Sequence, residues 1–194
     1  MKKSTSLGVK DWVMAAFRAL TLEGPQGIRV EAIARALKVS KGSFYWHFKD
    51  VAALKTAMLS HWEQAGTRDV IDKIQLTQVE ARDQLFALVD LSASFDDPEI
   101  GGVLAEAAIR DWARYYGPAA VALKKADIER MAFVVQLFGQ YGFSHELAKS
   151  HARLLYAGLI GMAHLAHQDL ADMHRDLRAL LELILATSPE SKRA

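Results

Sequence analysis

Apolar residues recur at three- and four-residue spacing along nearly the whole chain. No stretch alternates with the period of two and the β-branched enrichment that a strand requires. That property confines the chain to folds that pack helix on helix. Trp12, Val13, Ala16, Phe17 and Leu20 mark one face of a helix from about Lys10 to Leu22, and Glu23-Gly24-Pro25-Gln26-Gly27 breaks it. A short helix from about Val30 to Leu37 turns Ile33, Ala34 and Leu37 inward. Lys38-Val39-Ser40 then forms a three-residue turn, and Ser40 is expected to cap a third short helix whose Phe44 and Phe48 face inward. A fourth helix runs from near Val51 to about Ala65.

Later boundaries follow the same logic. Thr77-Gln78-Val79-Glu80 has capping-box spacing and is expected to open a helix reaching Ser94. Asp97-Pro98 reads as a cap followed by a first-turn proline. Gly117-Pro118 and Tyr141-Gly142 mark further boundaries, Ser144 opens a long helix to Gln168, and a last helix spans about Ala171 to Ala186. The expected fold is all-α with roughly nine helices. It divides into an N-terminal three-helix domain, residues 1–55, and a larger helical domain, residues 56–194.

Composition removes several function classes. A chain of 194 residues that is 51% hydrophobic and 24% charged is expected to fold. The absence of cysteine excludes a disulfide scaffold, a thiolate zinc site and a cysteine nucleophile. The longest nearly apolar stretch, Leu154 to Ala166, contains His164 and falls short of the roughly 20 residues that cross a bilayer. No apolar run follows Met1-Lys2-Lys3-Ser4-Thr5-Ser6, so no secretory signal is read there and a soluble, cytoplasmic protein without a membrane partner is expected. His145-Glu146 begins like a zinc-protease motif, but Lys149 stands where the second histidine is needed, and His164 and His167 lack a third ligand at firm spacing. Nucleophile-elbow, phosphate-loop and dinucleotide signatures are absent. The expectation is no enzyme, no catalytic residue, no metal and no cofactor.

Charge is distributed unevenly. Residues 1–62 carry 10 Lys/Arg against 4 Asp/Glu, whereas residues 63–194 carry 14 against 19. A basic front third suits a partner rich in phosphate. Two short helices joined by a three-residue turn and packed on a preceding helix fit a helix-turn-helix unit, whose second helix must be slim enough for a DNA major groove. Lys41-Gly42-Ser43-Phe44-Tyr45-Trp46-His47-Phe48 meets that demand. Phe44 and Phe48 anchor its back, Lys41, Ser43, Trp46 and His47 project outward, and Gly42 removes a side chain where backbone must approach the duplex.

These residues carry a resemblance. Ile33-Ala34, the run Lys38 to Phe48, and Leu54 resemble the N-terminal signature of the tetracycline-repressor (TetR) family of bacterial transcription regulators, with Ala15-Ala16, Leu20 and Gly24 in matching places. The motif-rich likeness covers roughly residues 9 to 63. It implies a homodimer that reads a palindromic operator in double-stranded DNA and is released, as a repressor, by a small effector. Carried over by position, Lys41 and Ser43 meet phosphate or base edges, Tyr45 places its hydroxyl on a phosphate, His47 contacts backbone or base, and Lys49 reaches phosphate. Trp46 either touches the groove edge or covers the small core. Four residues depart from the pattern. Lys38 stands where relatives have a turn glycine, Arg29 replaces a capping threonine but sets a cation beside phosphate, Glu31 replaces a common arginine, and Val51 replaces a lysine. Lys2, Lys3 and Lys10 form a basic arm that either tracks the DNA or is a solubilising tail.

The last two helices carry apolar stripes expected to pair with a second copy. The first has Leu154, Gly158, Gly161 and Leu165, and the second has Leu177, Leu181 and Ile184. The alternative is that both stripes face the chain's own core. By the resemblance, Phe86, Trp112, Tyr115, Tyr116, Met131, Phe133 and Phe138 line an effector cavity with Trp62 at its mouth, the alternative being ordinary core, and aromatic walls suit an apolar or planar ligand. Two other functions remain open here: an all-helical carrier or enzyme for an apolar small molecule, and a DNA-bound scaffold controlled by a protein partner.

Overall fold

A computed structural model of the chain describes residues 7–93, 102–166, 168 and 171–187. Within them the secondary structure is helical, with no strand among the described residues. In chain order the helices are α1 (Val9–Glu23), α2 (Val30–Ala36), α3 (Lys41–Phe44), α4 (Val51–Glu63), α5 (Asp69–Thr77), α6 (Ala81–Ala93), α7 (Gly102–Trp112), α8 (Gly117–Tyr141), α9 (His145–Ala166) and α10 (Met173–Leu185). No described helix is long and apolar enough to cross a membrane. The expected Asp97-Pro98 helix start, Lys2, Lys3 and His167 lie outside the described residues.

The helices form two compact units, each built from two segments of chain. One combines residues 1–64 with 96–124, the other 65–95 with 125–194. The boundary expected after residue 55 falls inside α4.

In the first unit, α1 packs on α2, α4 and α7. Its apolar face is wide: Trp12, Val13, Met14, Ala15, Ala16, Phe17 and Leu20 are all buried, beside Ile33, Phe44, Leu54 and Met58. Gly24, at φ 76°, ends α1 in a conformation that suits glycine and bonds its N–H to the Leu20 carbonyl at 2.9 Å. Arg29 occupies the N-cap of α2 and makes no capping bond, as expected from the missing threonine. Asp50 caps α4 properly, its carboxylate accepting from the Ala53 N–H at 2.7 Å.

In the second unit, α10 packs on α9 and α6, and α5 on α6. Asp90 of α6 accepts from the Arg178 guanidinium and stands 3.0 Å from His174 Nε2, both on α10. The Tyr156 hydroxyl donates to Asp127 at 2.7 Å, and Arg130 Nε donates to the buried Thr67 hydroxyl at 2.9 Å. These bonds tie α8 to α9 and to the segment that follows α4.

Two sequence expectations are corrected here. Thr77 does not open a helix: it is the last residue of α5, and its hydroxyl donates back to the Lys73 carbonyl at 2.7 Å. The chain leaves α4 through a π turn, Gln64–Arg68, and continues as α5 where the pattern showed no helix. Within this wider turn the Thr67 hydroxyl meets Arg130.

Lys38 sits at φ 58°, a left-handed conformation that a side chain disfavours by roughly 1–2 kcal/mol. Lys38→Gly should therefore raise unfolding stability by about 1 kcal/mol, read from the urea midpoint at unchanged slope. His151, packed between Phe138 and Phe143 at ring-centroid distances of 6.0 and 4.7 Å, is pushed below its ordinary pKa of 6.5 by burial. The unfolded chain then takes up the proton first as pH falls, so the stability this neutral ring supplies is full above about pH 6.5 and is lost below it. Melting curves across that range should fall more steeply for the native chain than for His151→Gln.

Candidate nucleic-acid interface

The α2–α3 pair is held by backbone before side chains enter. Val39 N–H bonds to the Ala34 carbonyl at 3.0 Å and Lys38 N–H to the Arg35 carbonyl at 3.1 Å, which folds the connecting turn back on α2. The left-handed Lys38 lies at the middle of that reversal. α3 itself is a single turn of regular helix. Its winding continues through Tyr45 and His47 until the Phe48 N–H bonds to the Phe44 carbonyl at 3.0 Å. Ser40 stands at the N-cap, yet its hydroxyl makes no capping bond. Its carbonyl instead accepts from the Ser43 hydroxyl at 2.9 Å.

Aromatic packing fixes how α3 is rotated. Phe44 is fully buried, meets the Trp12 edge at 5.3 Å and stacks on Phe48 at 5.5 Å. With those two rings inward, Lys41, Gly42, Tyr45, Trp46 and Lys49 are exposed, and Arg29 is exposed at the start of α2. Trp46 is 88% exposed, so it does not cover the core. Tyr45 is 56% exposed and rests edge-on against Phe44. Ser43 and His47 are half-buried, the imidazole lying 6.4 Å from Trp12. A Cβ on Gly42 would meet only Ser40 Oγ, at an ordinary 3.7 Å, so the chain's own packing gives no reason for glycine there.

The electrostatics hold something that sequence reasoning did not foresee. Lys41 Nζ donates to Glu31 Oε1, joining the first turn of α2 to the start of α3. That bond draws the Glu31 carboxyl below the usual carboxylate range and raises the Lys41 ammonium. Arg29 similarly lies 3.7 Å from Glu23. Two of the cations expected to meet phosphate are thus paired with carboxylates of their own chain. The partners are ten and six residues apart and on different elements, beyond any helical spacing rule.

The other expected sites fare differently. Leu154, Gly161 and Leu165 are exposed on α9. Leu177, Leu181 and Ile184, expected at a dimer interface, are buried within their own unit because α10 turns that stripe toward α9 and α6. Gly158 serves the same internal packing: a Cβ there would come within 2.5 Å of Leu180 Cδ2, whereas one on Gly161 would meet nothing.

The residues expected to line an effector cavity, with Trp62 at its mouth, divide between the two units. Trp62, Trp112, Tyr115 and Tyr116 fall in the first, and Phe86, Met131, Phe133 and Phe138 in the second. Trp62, Trp112 and Phe138 are buried, and Tyr115 is 81% exposed. Trp112 stacks on Tyr116 at 4.8 Å, and Lys55 Nζ lies over both rings. Phe86 lies against the guanidinium groups of Arg82 and Arg178. Among the described residues, no group of His, Asp and Glu is arranged to hold a metal ion.

Residues 13–58 match the family model described as bacterial regulatory proteins, tetR family. No curated protein sequence gives a significant match. Solved structures do. A TetR transcriptional regulator from Legionella pneumophila is similar with a TM-score of 0.72 at 19% identity, covering 97% of this chain and 100% of that one. NemR of E. coli in its reduced form gives 0.72 at 20%, covering 92% and 98%. A protein from Saccharomonospora viridis in complex with choline gives 0.72 at 16%, covering 90% and 95%. At such identities the likeness is one of fold, and the motif lies in the matched N-terminal segment. The N-terminal segment is thus similar to the tetR family of bacterial regulatory proteins, and the whole chain shares its fold with solved regulators of that kind.

Proposed function

We propose that this protein is a homodimeric, sequence-specific DNA-binding transcription regulator, a repressor released from a palindromic operator by a small, largely apolar or aromatic effector. The observation that carries this reading is the rotation of α3: Phe44 and Phe48 hold its back, and Lys41, Gly42, Tyr45, Trp46 and Lys49 stand in solvent. A core-forming helix hides its aromatic residues, whereas this one exposes Tyr45 and Trp46 beside cations. In a major groove the Gly42 backbone comes close to the duplex, the Tyr45 hydroxyl donates to a phosphate, and Lys41, Lys49 and Arg29 neutralise backbone charge. Ser43 and His47, half-buried, act at the margin of that surface.

Two readers must be linked, because half-sites about one DNA turn, ~34–36 Å, apart are read by two-fold partners. Leu154, Gly161 and Leu165 on α9 and the 69% exposed Leu183 on α10 are apolar or small and unused by their own unit, which supports pairing through these helices. An effector that favours a conformation with wrongly spaced α3 helices lowers operator affinity by the factor that the operator lowers its own. The choline held by a protein of the same fold supports a small organic effector. The carrier or enzyme alternative gives the exposed residues of α3 no task.

Selection of bound sequences from random duplex DNA tests the reading directly. A palindromic consensus is expected, and recovery of no consensus at low salt would sink it. Gly42→Ala separates function from folding: stability should hold or rise by up to about 1 kcal/mol, while operator affinity drops at least about tenfold. Leu154→Asp should yield a folded monomer in sedimentation equilibrium, whereas Leu177→Asp should unfold the chain by burying an unpaired charge.

A further inference from the structure

The Glu31–Lys41 pair works against binding a polyanion, and of the two such pairs at this surface it is the one that lies between α2 and α3. Both side chains are more than half exposed, and their contact bridges the two helices of the reading module. Exposure means that the pair is exchangeable: neither group is locked by packing, and each can trade its partner for another of the same charge. The Lys41 ammonium has three N–H donors, so on duplex of arbitrary sequence it meets a phosphate either with Glu31 still on it, which carries a carboxylate up to the polyanion, or by giving Glu31 up, which leaves that carboxylate unpaired there. Both routes cost electrostatic free energy that a base donor on Glu31 removes. A carboxylate has no proton to donate, so on DNA it is satisfied only by a donor, and in the major groove the base donors are the amino groups of cytosine and adenine. A single carboxylate accepting one amino proton suits cytosine N4, whereas adenine is best read by a side chain that both donates and accepts.

We propose that Glu31 is a specificity-determining residue, holding Lys41 back from phosphate on indifferent duplex and releasing it where a cytosine amino group takes the ammonium's place on the carboxylate. The inference rests on the DNA-reading function proposed above. It makes Glu31 a filter whose removal strengthens binding in general while blurring one position of each half-site.

The test compares the full-length native chain with Glu31→Gln, which keeps size and loses charge. Random-sequence selection with the native chain should fix one C·G pair per half-site that Glu31→Gln relaxes, discrimination there falling about tenfold. Affinity of Glu31→Gln for a non-specific duplex should rise, with the slope of log K against log salt steeper by about 0.9 per bound module as Lys41 engages a phosphate. In a Lys41→Ala background the same substitution should no longer steepen the slope. Asp72→Asn, an equal charge change on the exposed part of α5, should alter neither quantity. The proposal is overturned if Glu31→Gln selects the native consensus with unchanged discrimination, if its steeper salt slope persists without Lys41, or if Asp72→Asn reproduces either effect. A native chain that selects no consensus at all overturns the underlying DNA-reading function as well, which distinguishes the two failures.

Discussion

The seating of Phe44 between Trp12 and Phe48 is the contact on which the presentation of α3 depends. A helix of four residues has almost no stability of its own, since nucleation outweighs the few hydrogen bonds it closes. Tertiary packing must therefore supply both its existence and its orientation. Trp12 comes from α1, so the first helix and the third are fixed as one body. The order of residues along α3 then decides what faces out. Positions 44 and 48 are turned inward, and 41, 42, 45, 46 and 49 necessarily lie elsewhere.

Much of this was legible in the residues. The α1 face, the three-residue turn and the two phenylalanines four apart are local patterns, and the left-handed Lys38 was announced by its place in a turn that normally holds glycine. Local pattern left other features open. Thr-x-x-Glu spacing is compatible with a cap, but a last-turn threonine bonding back to its own helix carries the same letters, and Thr77 is of that kind. Leu177, Leu181 and Ile184 show where a helix is apolar, and periodicity says nothing about whether the covering surface belongs to the same chain. The Glu31–Lys41 contact belongs to a third case, a pairing created by the turn itself, and only the folded geometry brings the two together.

The charge asymmetry also reads differently once the side chains are placed. The excess of Lys and Arg in the first 62 residues is real, yet Glu23 and Glu31 sit against Arg29 and Lys41 and temper it at the surface that matters. A module so balanced depends more on shape and on individual bonds, and less on bulk attraction, than its composition suggests.

The apolar face of α10 is already covered by α9 and α6, with Leu177 and Leu181 almost wholly out of solvent. The hydrophobic interior of that unit is consequently completed by one polypeptide. Maturation of that unit on the ribosome need not await a sister molecule, because the leucines that would otherwise wait for a partner are already covered by neighbouring helices of the same chain.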